Sequence, residues 1–238
     1  VRAFASTSEH PSEREAMRRA LDLAWRGWGR VAPNPLVGAA VLQGDEVVAE
    51  GFHGEFGGPH AEVHALRGAG ARARGATLVV TLEPCAHQGK TPPCTDAIRA
   101  AGIRRVVAAV RDPDPDARGG IEVLRAAGIE TSVGLLAEEA AAVNAAFLAT
   151  RLQTERPFVA LKLATSIDGR IADVRGRSQW LSGSEARAYV HWLRAGFHAI
   201  GVGGTTALMD NPQLTVRGAI TPRLPPVRIV FDRRAMLN

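Results

Sequence analysis

The sequence predicts an α/β fold in which helices layer onto a sheet, followed by a second, smaller α/β unit. Three observations predict it. Short apolar runs that read as strands alternate with helical periodicities from Val37 to Val133, the pattern of a sheet with mainly parallel later strands. Chemistry-bearing residues fall at the carboxyl end of one such strand and on the helix after it, where open sheets place their sites. A polar stretch closed by proline, Thr154-Glu155-Arg156-Pro157, separates this region from a second series of apolar runs.

The elements follow in order. Residues 1–11 read as a flexible tail. Ser12-Glu13-Arg14-Glu15 has the form of a capping box, and Met17, Ala20, Leu21, Ala24, Trp25 and Trp28 keep helical spacing to Gly29. Val37 to Leu42 and Glu46 to Phe52 read as strands joined by a Gly44-Asp45 turn. Pro59 introduces a helix starting at His60 and stopping near Gly68 or Gly70. Ala76 to Leu82 is a strand that delivers Glu83-Pro84-Cys85, and Pro92-Pro93 precede a helix from Cys94. A strand from Val106 to Val110, a helix around Ile121 to Ala127 and a strand near Ile129 to Val133 come next. An alanine-rich helix, Ala137 to Gln153, closes a first unit spanning 12–153. The second unit, 157–238, begins with a strand over Val159 to Leu163 and a turn at Ser166-Ile167-Asp168-Gly169. It continues with a helix from Glu185 to Phe197 and strands at Ala199 to Val202 and Val227 to Phe231. Gly203-Gly204 reads as a plain turn.

Composition bounds the function. With 238 residues and 46% apolar content, the chain can build one large core or two small ones. No run of eighteen apolar residues exists, so no membrane span is expected, and the first ten residues do not form a secretory signal. Two cysteines in a metal-binding pattern point to a reducing compartment, the cytoplasm. The net charge of +5 raises the question of nucleic acid, but the arginines are scattered and aromatics reach only 5%, too few for a base-stacking platform. Lys90 and Lys162 are the two lysines of an arginine-rich chain, which suggests sites wanting a compact ammonium.

His60-Ala61-Glu62, then Pro84-Cys85, then Cys94 carry the chemistry. One imidazole and two thiolates hold zinc with a fourth tetrahedral position open, and a water there has its pKa lowered to about 7. A closed structural site would want four protein ligands. The two cysteines cannot supply it, and the arithmetic favours catalysis. Residues two apart on a helix point roughly 200° apart, so His60 and Glu62 reach one ion only if their helix faces it end-on. Helix N-termini at His60 and Cys94 would favour thiolate and hydroxide. The pattern resembles the signature of zinc nucleobase deaminases. His10, His64, His191 and His198 read as packed or surface groups, and Trp25, Trp28 and Trp192 as packing residues.

From about Glu13 to Asp232 the chain resembles the bacterial bifunctional riboflavin-biosynthesis deaminase–reductases. In the first half the resemblance rests on Pro33-Asn34-Pro35-Leu36-Val37-Gly38, Gly51-Phe52-His53, Pro59-His60-Ala61-Glu62 and the run from Thr81 to Cys94. Its eight-residue gap between cysteines differs from the two-residue gap usual in nucleic-acid and nucleoside deaminases. In the second half it rests on Leu161-Lys162-Leu163, Ser166 to Arg170, Ser178-Gln179-Trp180 and Asp210 to Arg217.

The resemblance implies a cytidine-deaminase-like three-layer α/β/α domain followed by a partial dihydrofolate-reductase-like α/β domain. It implies Zn2+ on His60, Cys85 and Cys94, with Glu62 as the catalytic residue that moves a proton from water to the ring nitrogen and departing ammonia. The implied substrate is a phosphorylated diaminopyrimidinone ribosylamine, contacted by Asn34, His53 and Lys90. The second domain would use NADPH, near Lys162, Ala164, Trp180, Thr206 and Asp210, to reduce ribosyl to ribityl. Ser178, Arg194, Leu214 and Arg217 would meet that substrate. The loop from Asp112 to Gly120 is about one residue shorter than is usual there, and the second unit stops short of the family's reductase. A homo-oligomer, dimer or tetramer, is expected, with neither nucleic acid nor membrane as partner. Two other readings stand beside this one: a nucleic-acid or nucleoside deaminase, and a non-catalytic zinc-stabilised binding module.

Overall fold

The computed structural model describes residues 10–152, 155–218 and 220–237. The expected tail up to residue 9, the helix end at Gln153 and the linker residue Thr154 lie outside the described residues. Two compact units meet in sequence between Phe158 and Val159.

The first unit is built on a five-stranded sheet. Its strands are β1 (Gly38–Gln43), β2 (Glu46–Phe52), β3 (Thr77–Leu82), β4 (Arg105–Val110) and β5 (Glu130–Val133). The spatial order is β2-β1-β3-β4-β5. β1 pairs antiparallel with β2 and β3, while β3-β4 and β4-β5 are parallel, as the alternation of strands and helices requires. Gly44, at φ +62°, makes the hairpin turn expected between β1 and β2.

The strands are apolar on both faces because both are covered. On one side Ala39, Val41, Leu78, Val80, Val106 and Ala108 pack against α2 (Ala61–Ala69), α3 (Cys94–Ala100) and α4 (Gly120–Ala126) through residues such as Ala65, Ile98 and Leu124. On the other side Ala40, Leu42, Val79, Val107 and Ala109 meet Met17 and Leu21 of α1 (Pro11–Ala24) and Ala140 of α5 (Ala137–Val143). This is a three-layer α/β/α sandwich.

Two expectations for this unit are corrected. The capping box does not form: His10 is the N-cap, without a side-chain cap, and Pro11 occupies the first helical position. Ser12 lies inside the first turn, and its hydroxyl donates to Asp45 Oδ1 at 2.9 Å across the hairpin. Proline is favoured at the first helical position, so the helix starts at Pro11 and Ser12 no longer stands at its cap. The long alanine-rich helix is also broken, into α5 and α6 (Ala145–Leu152), at Asn144. Buried Asn144 takes non-helical dihedrals, and its carboxamide grips the backbone of Leu36. It accepts the Leu36 N–H and donates to the Leu36 carbonyl, each at 2.8 Å.

The second unit contains α7 (Ser184–Ala195), β6 (Ala199–Gly203), α8 (Gly204–Asp210) and β7 (Val227–Phe231). β6 and β7 pair in parallel. The turn at Ser166 to Gly169 is present, with Gly169 at φ +76°. The strand expected over Val159 to Leu163 is absent. A strand persists through its ladder, and this segment has no ladder partner among the described residues; Val159 and Leu161 stand 78% and 82% exposed. Gly203-Gly204 is a helix start and not a plain turn, with Gly203 as the N-cap of α8. Among the described residues no helix is long and apolar enough to cross a membrane.

Candidate active site

Two helix starts and one strand end converge. His60 is the N-cap residue of α2, and Glu62 lies in that helix's first turn. Cys85 follows β3 by three residues, and Cys94 opens α3. Thr95 N–H donates to the Cys85 carbonyl at 3.2 Å, which ties the strand end to the α3 start. Both helices present their positive N-terminal ends here, as the spacing requires.

His60 Nδ1 lies 3.2 Å from Cys94 Sγ and 3.6 Å from Cys85 Sγ. The three ligand atoms all fall within 4.8 Å of one another. Cys94 N–H points at Cys85 Sγ, 3.4 Å away. The Cys85 thiol is held low, at about 4, first by its hydrogen bond with Cys94 and then by His60, against the effect of burial. Cys94, the other partner of that bond and itself buried, is pushed up. A thiophilic cation held here would take the place of the thiol protons. The hydrogen bond to Cys85 raises the His60 pKa, with burial opposing. Two thiolates and one imidazole are a donor set that fits zinc, and they leave one tetrahedral position without a protein ligand. Thr91 Oγ1, 3.3 Å from His60 Nε2, fixes the ring from its far side.

A cavity of about 260 Å³ opens against this cluster. Asn34, His53, His60, Glu62, Cys85 and Lys90 all line it, and Cys94 is buried directly behind, against His60 and Cys85, so the structure brings together every site residue expected in the first unit. Burial raises the Glu62 carboxyl above the ordinary range, and the nearby His60 opposes that shift. His53 Nδ1 lies 3.1 Å from the Pro59 carbonyl, an obligate acceptor, so Nδ1 carries the proton. His53 Nε2 therefore accepts, and Asn34 Nδ2 donates to it at 3.1 Å. Burial lowers the His53 pKa and keeps the ring neutral. The Lys90 ammonium rests 4.5 Å above the centre of the Phe56 ring.

The walls include groups that sequence reasoning passed over: Thr91, Glu83, Asp112, Asp114, Phe147 and Arg151. Thr91 could have been found, since it lies between the cysteines. The others answer to partners too remote in sequence to leave a local signal.

In the second unit, three of the four expected substrate residues gather at one place. Arg194 donates to the Thr215 carbonyl at 3.1 Å, between Leu214 and Arg217 in sequence. His191, read as a packed or surface group, joins them: its Nδ1 lies 3.1 Å from that carbonyl and 3.2 Å from the Arg217 N–H. Burial, then the neighbouring Arg217, lowers the Arg194 pKa. Trp180 is 69% exposed under the Arg187 guanidinium, 4.7 Å from the ring centre. Thr206 and Asp210 lie on α8; Lys162, Ala164 and Ser178 lie on irregular chain, and among the described residues no hydrogen bond draws these five into the Arg194 cluster.

A three-layer sandwich with a His/Cys/Cys cluster at two helix starts is the arrangement of the zinc-dependent deaminase class. Residues 11–110 match the cytidine and deoxycytidylate deaminase zinc-binding region, and residues 157–238 match the RibD C-terminal domain. The riboflavin biosynthesis protein RibD of Escherichia coli is 49% identical over 228 residues, covering 91% of this chain and 62% of that protein. Its Synechocystis counterpart is 48% identical, covering 93% of this chain and 60% of that protein. A Thermotoga maritima diaminohydroxyphosphoribosylaminopyrimidine deaminase/5-amino-6-(5-phosphoribosylamino)uracil reductase superposes with a TM-score of 0.83 at 47% identity, covering 94% of this chain and 64% of that one. Acinetobacter baumannii RibD gives 0.83 at 43%, covering 95% and 65%. Over more than nine tenths of its own length the chain is thus similar to RibD riboflavin biosynthesis proteins. It spans about 60% of the length of the curated relatives it matches.

Proposed function

We propose that the first unit, 12–153, hydrolytically deaminates 2,5-diamino-6-(5-phosphoribosylamino)pyrimidin-4-one in riboflavin biosynthesis. One observation carries this reading: His60 Nδ1, Cys85 Sγ and Cys94 Sγ cluster within 4.8 Å at the wall of a cavity that the buried Glu62 also lines. His60, Cys85 and Cys94 would hold zinc, which supplies the positive charge that makes water nucleophilic near neutral pH.

The chain's own residues do the rest. Glu62, with its carboxyl raised by burial, accepts the proton of water and returns it to the ring nitrogen and the departing ammonia. The 2-amino group leaves as ammonia and a carbonyl oxygen from water replaces it. Neutral His53 holds the Asn34 carboxamide so that its oxygen faces the pyrimidine's amino groups. Lys90 offers its ammonium to the phosphate, for which the Phe56 ring is the resting place.

The second unit, 157–238, supports NADPH-dependent reduction of the ribosyl group to ribityl. Lys162, Ala164, Trp180, Thr206 and Asp210 would contact the dinucleotide, and Ser178, Arg194, Leu214 and Arg217 the substrate. The Arg194–Arg217 pair, close enough to lower the Arg194 pKa, suits an anionic ligand. The free thiols of the cluster support a reducing cytoplasmic compartment, and exposed apolar residues on β7 support a homo-oligomer, dimer or tetramer.

Two variants test the deaminase. Glu62→Gln should keep its zinc and lose ammonia release from the diaminopyrimidine by about 10²–10⁴-fold. Cys94→Ser should lose the metal itself, read by metal analysis. Full activity in Glu62→Gln would sink the mechanism.

A further inference from the structure

A buried carboxylate outside the proton-transfer machinery controls one wall of the cavity. Glu83, between β3 and Cys85, has a side chain with no exposure to solvent. Its Oε1 accepts the N–H groups of Gly119 and Ile121, each at 3.0 Å, and its Oε2 accepts the N–H of Asp112 at 3.2 Å. Those three amides bracket the loop between β4 and α4. Asp112 lies at its start, Gly119 ends it, and Ile121 is in the first turn of α4. That loop supplies Asp112, Asp114 and Ala117 to the cavity. Asp112 Oδ1 in turn accepts the Asp114 N–H at 2.9 Å, so the hold on Asp112 passes along the loop. The far end is pressed onto the residue beside Glu83, since a Cβ on Gly120 would lie 1.7 Å from the Pro84 carbonyl oxygen.

We infer that Glu83 is a positioning residue that clamps the Asp112–Gly119 loop against the metal-ligand segment and so sets the substrate-facing wall of the cavity. A carboxyl side chain suits this role because it offers acceptors at both oxygens, and hydrogen bonds to a charged acceptor are the strong ones. Hydrophobic packing could not register both ends of an irregular loop, whereas three directed bonds from one side chain can. The consequence for function rests on the deaminase reading; the clamp itself does not.

Glu83→Gln separates the two ends. A glutamine oxygen still accepts from Gly119 and Ile121, while its NH2 group confronts the Asp112 N–H donor to donor. Hydrogen exchange on the zinc-loaded 238-residue chain provides the readout. In the unmodified chain the Asp112 and Gly119 amides, outside any helix or strand, should exchange as slowly as those of β3. Free-loop rates there would overturn the clamp, whatever becomes of any variant.

In Glu83→Gln, exchange from Asp112 to Ala117 should speed up at least about tenfold, the scale of one charge-assisted hydrogen bond, with Ile121 still slow. Zinc content should be unchanged, and KM for the aminopyrimidine should rise about tenfold with kcat nearly constant, because the loop holds no metal ligand. Unchanged exchange and KM would overturn the inference, and so would parallel loss of zinc, melting temperature and kcat. If the unmodified chain releases no ammonia, the deaminase reading fails while the exchange measurements still decide the clamp.

Discussion

At Gly120 a single methyl group decides how two loops meet. The first residue of α4 lies so close to the Pro84 carbonyl that a Cβ would overlap backbone atoms that cannot swing aside. Gly120→Ala should therefore destabilise the first unit by about 1–3 kcal/mol, lowering its melting temperature by roughly 2–10 °C. A melting curve matching the unmodified chain would show that the loops separate freely. The convergence of His60, Cys85 and Cys94 was legible residue by residue, because metal chemistry demands particular side chains and the helix starts are marked by Pro59 and Pro92-Pro93. Glu83 was not legible: its amide partners lie 29 to 38 residues away, and a carboxylate before Pro-Cys has no local meaning without them. Thr91 and the His53–Asn34 pair stand between these cases. Their residue types were visible, while the tautomer that orients Asn34 needed the Pro59 carbonyl in place.

Among the elements, the break between α5 and α6 teaches most. Alanine-rich composition favours one continuous helix, and nothing near Asn144 argues otherwise. The break arises 108 residues earlier, at Leu36, whose N–H and carbonyl have no other partner in those bonds than the Asn144 carboxamide. Asn144→Ala would strand both buried groups. The expected loss is about 1–3 kcal/mol of stability, seen as a lower melting temperature, together with a raised KM because Asn34 lies two residues from Leu36. Unaltered stability and KM would mean that the carboxamide holds nothing. The strands and helices around the site, by contrast, fall within a residue or two of their expected positions, because continuous apolar runs and Pro or Gly boundaries are local signals. The segment at Val159 to Leu163 fails for the reason that Asn144 does: a strand's identity lies in its ladder partner, not in its own apolar residues.

For the whole molecule, the His60/Cys85/Cys94 cluster lies entirely in the first of two units, so the two proposed chemistries should separate. Removing zinc with a chelator should abolish ammonia release and leave NADPH binding by the second unit unchanged, as followed by nucleotide fluorescence. Loss of both together would show that the metal supports more than the first unit. The sequence by itself determined the layered α/β class and a His/Cys/Cys donor set that suits zinc, since these rest on periodicity and side-chain chemistry. Only the tertiary structure decided which nitrogen of His60 faces the sulfurs, how His53 holds Asn34, why α5 stops at Asn144, and that Glu83 closes the cavity wall. Those features depend on directed hydrogen bonds between residues far apart in the chain, and direction appears only once the chain has folded.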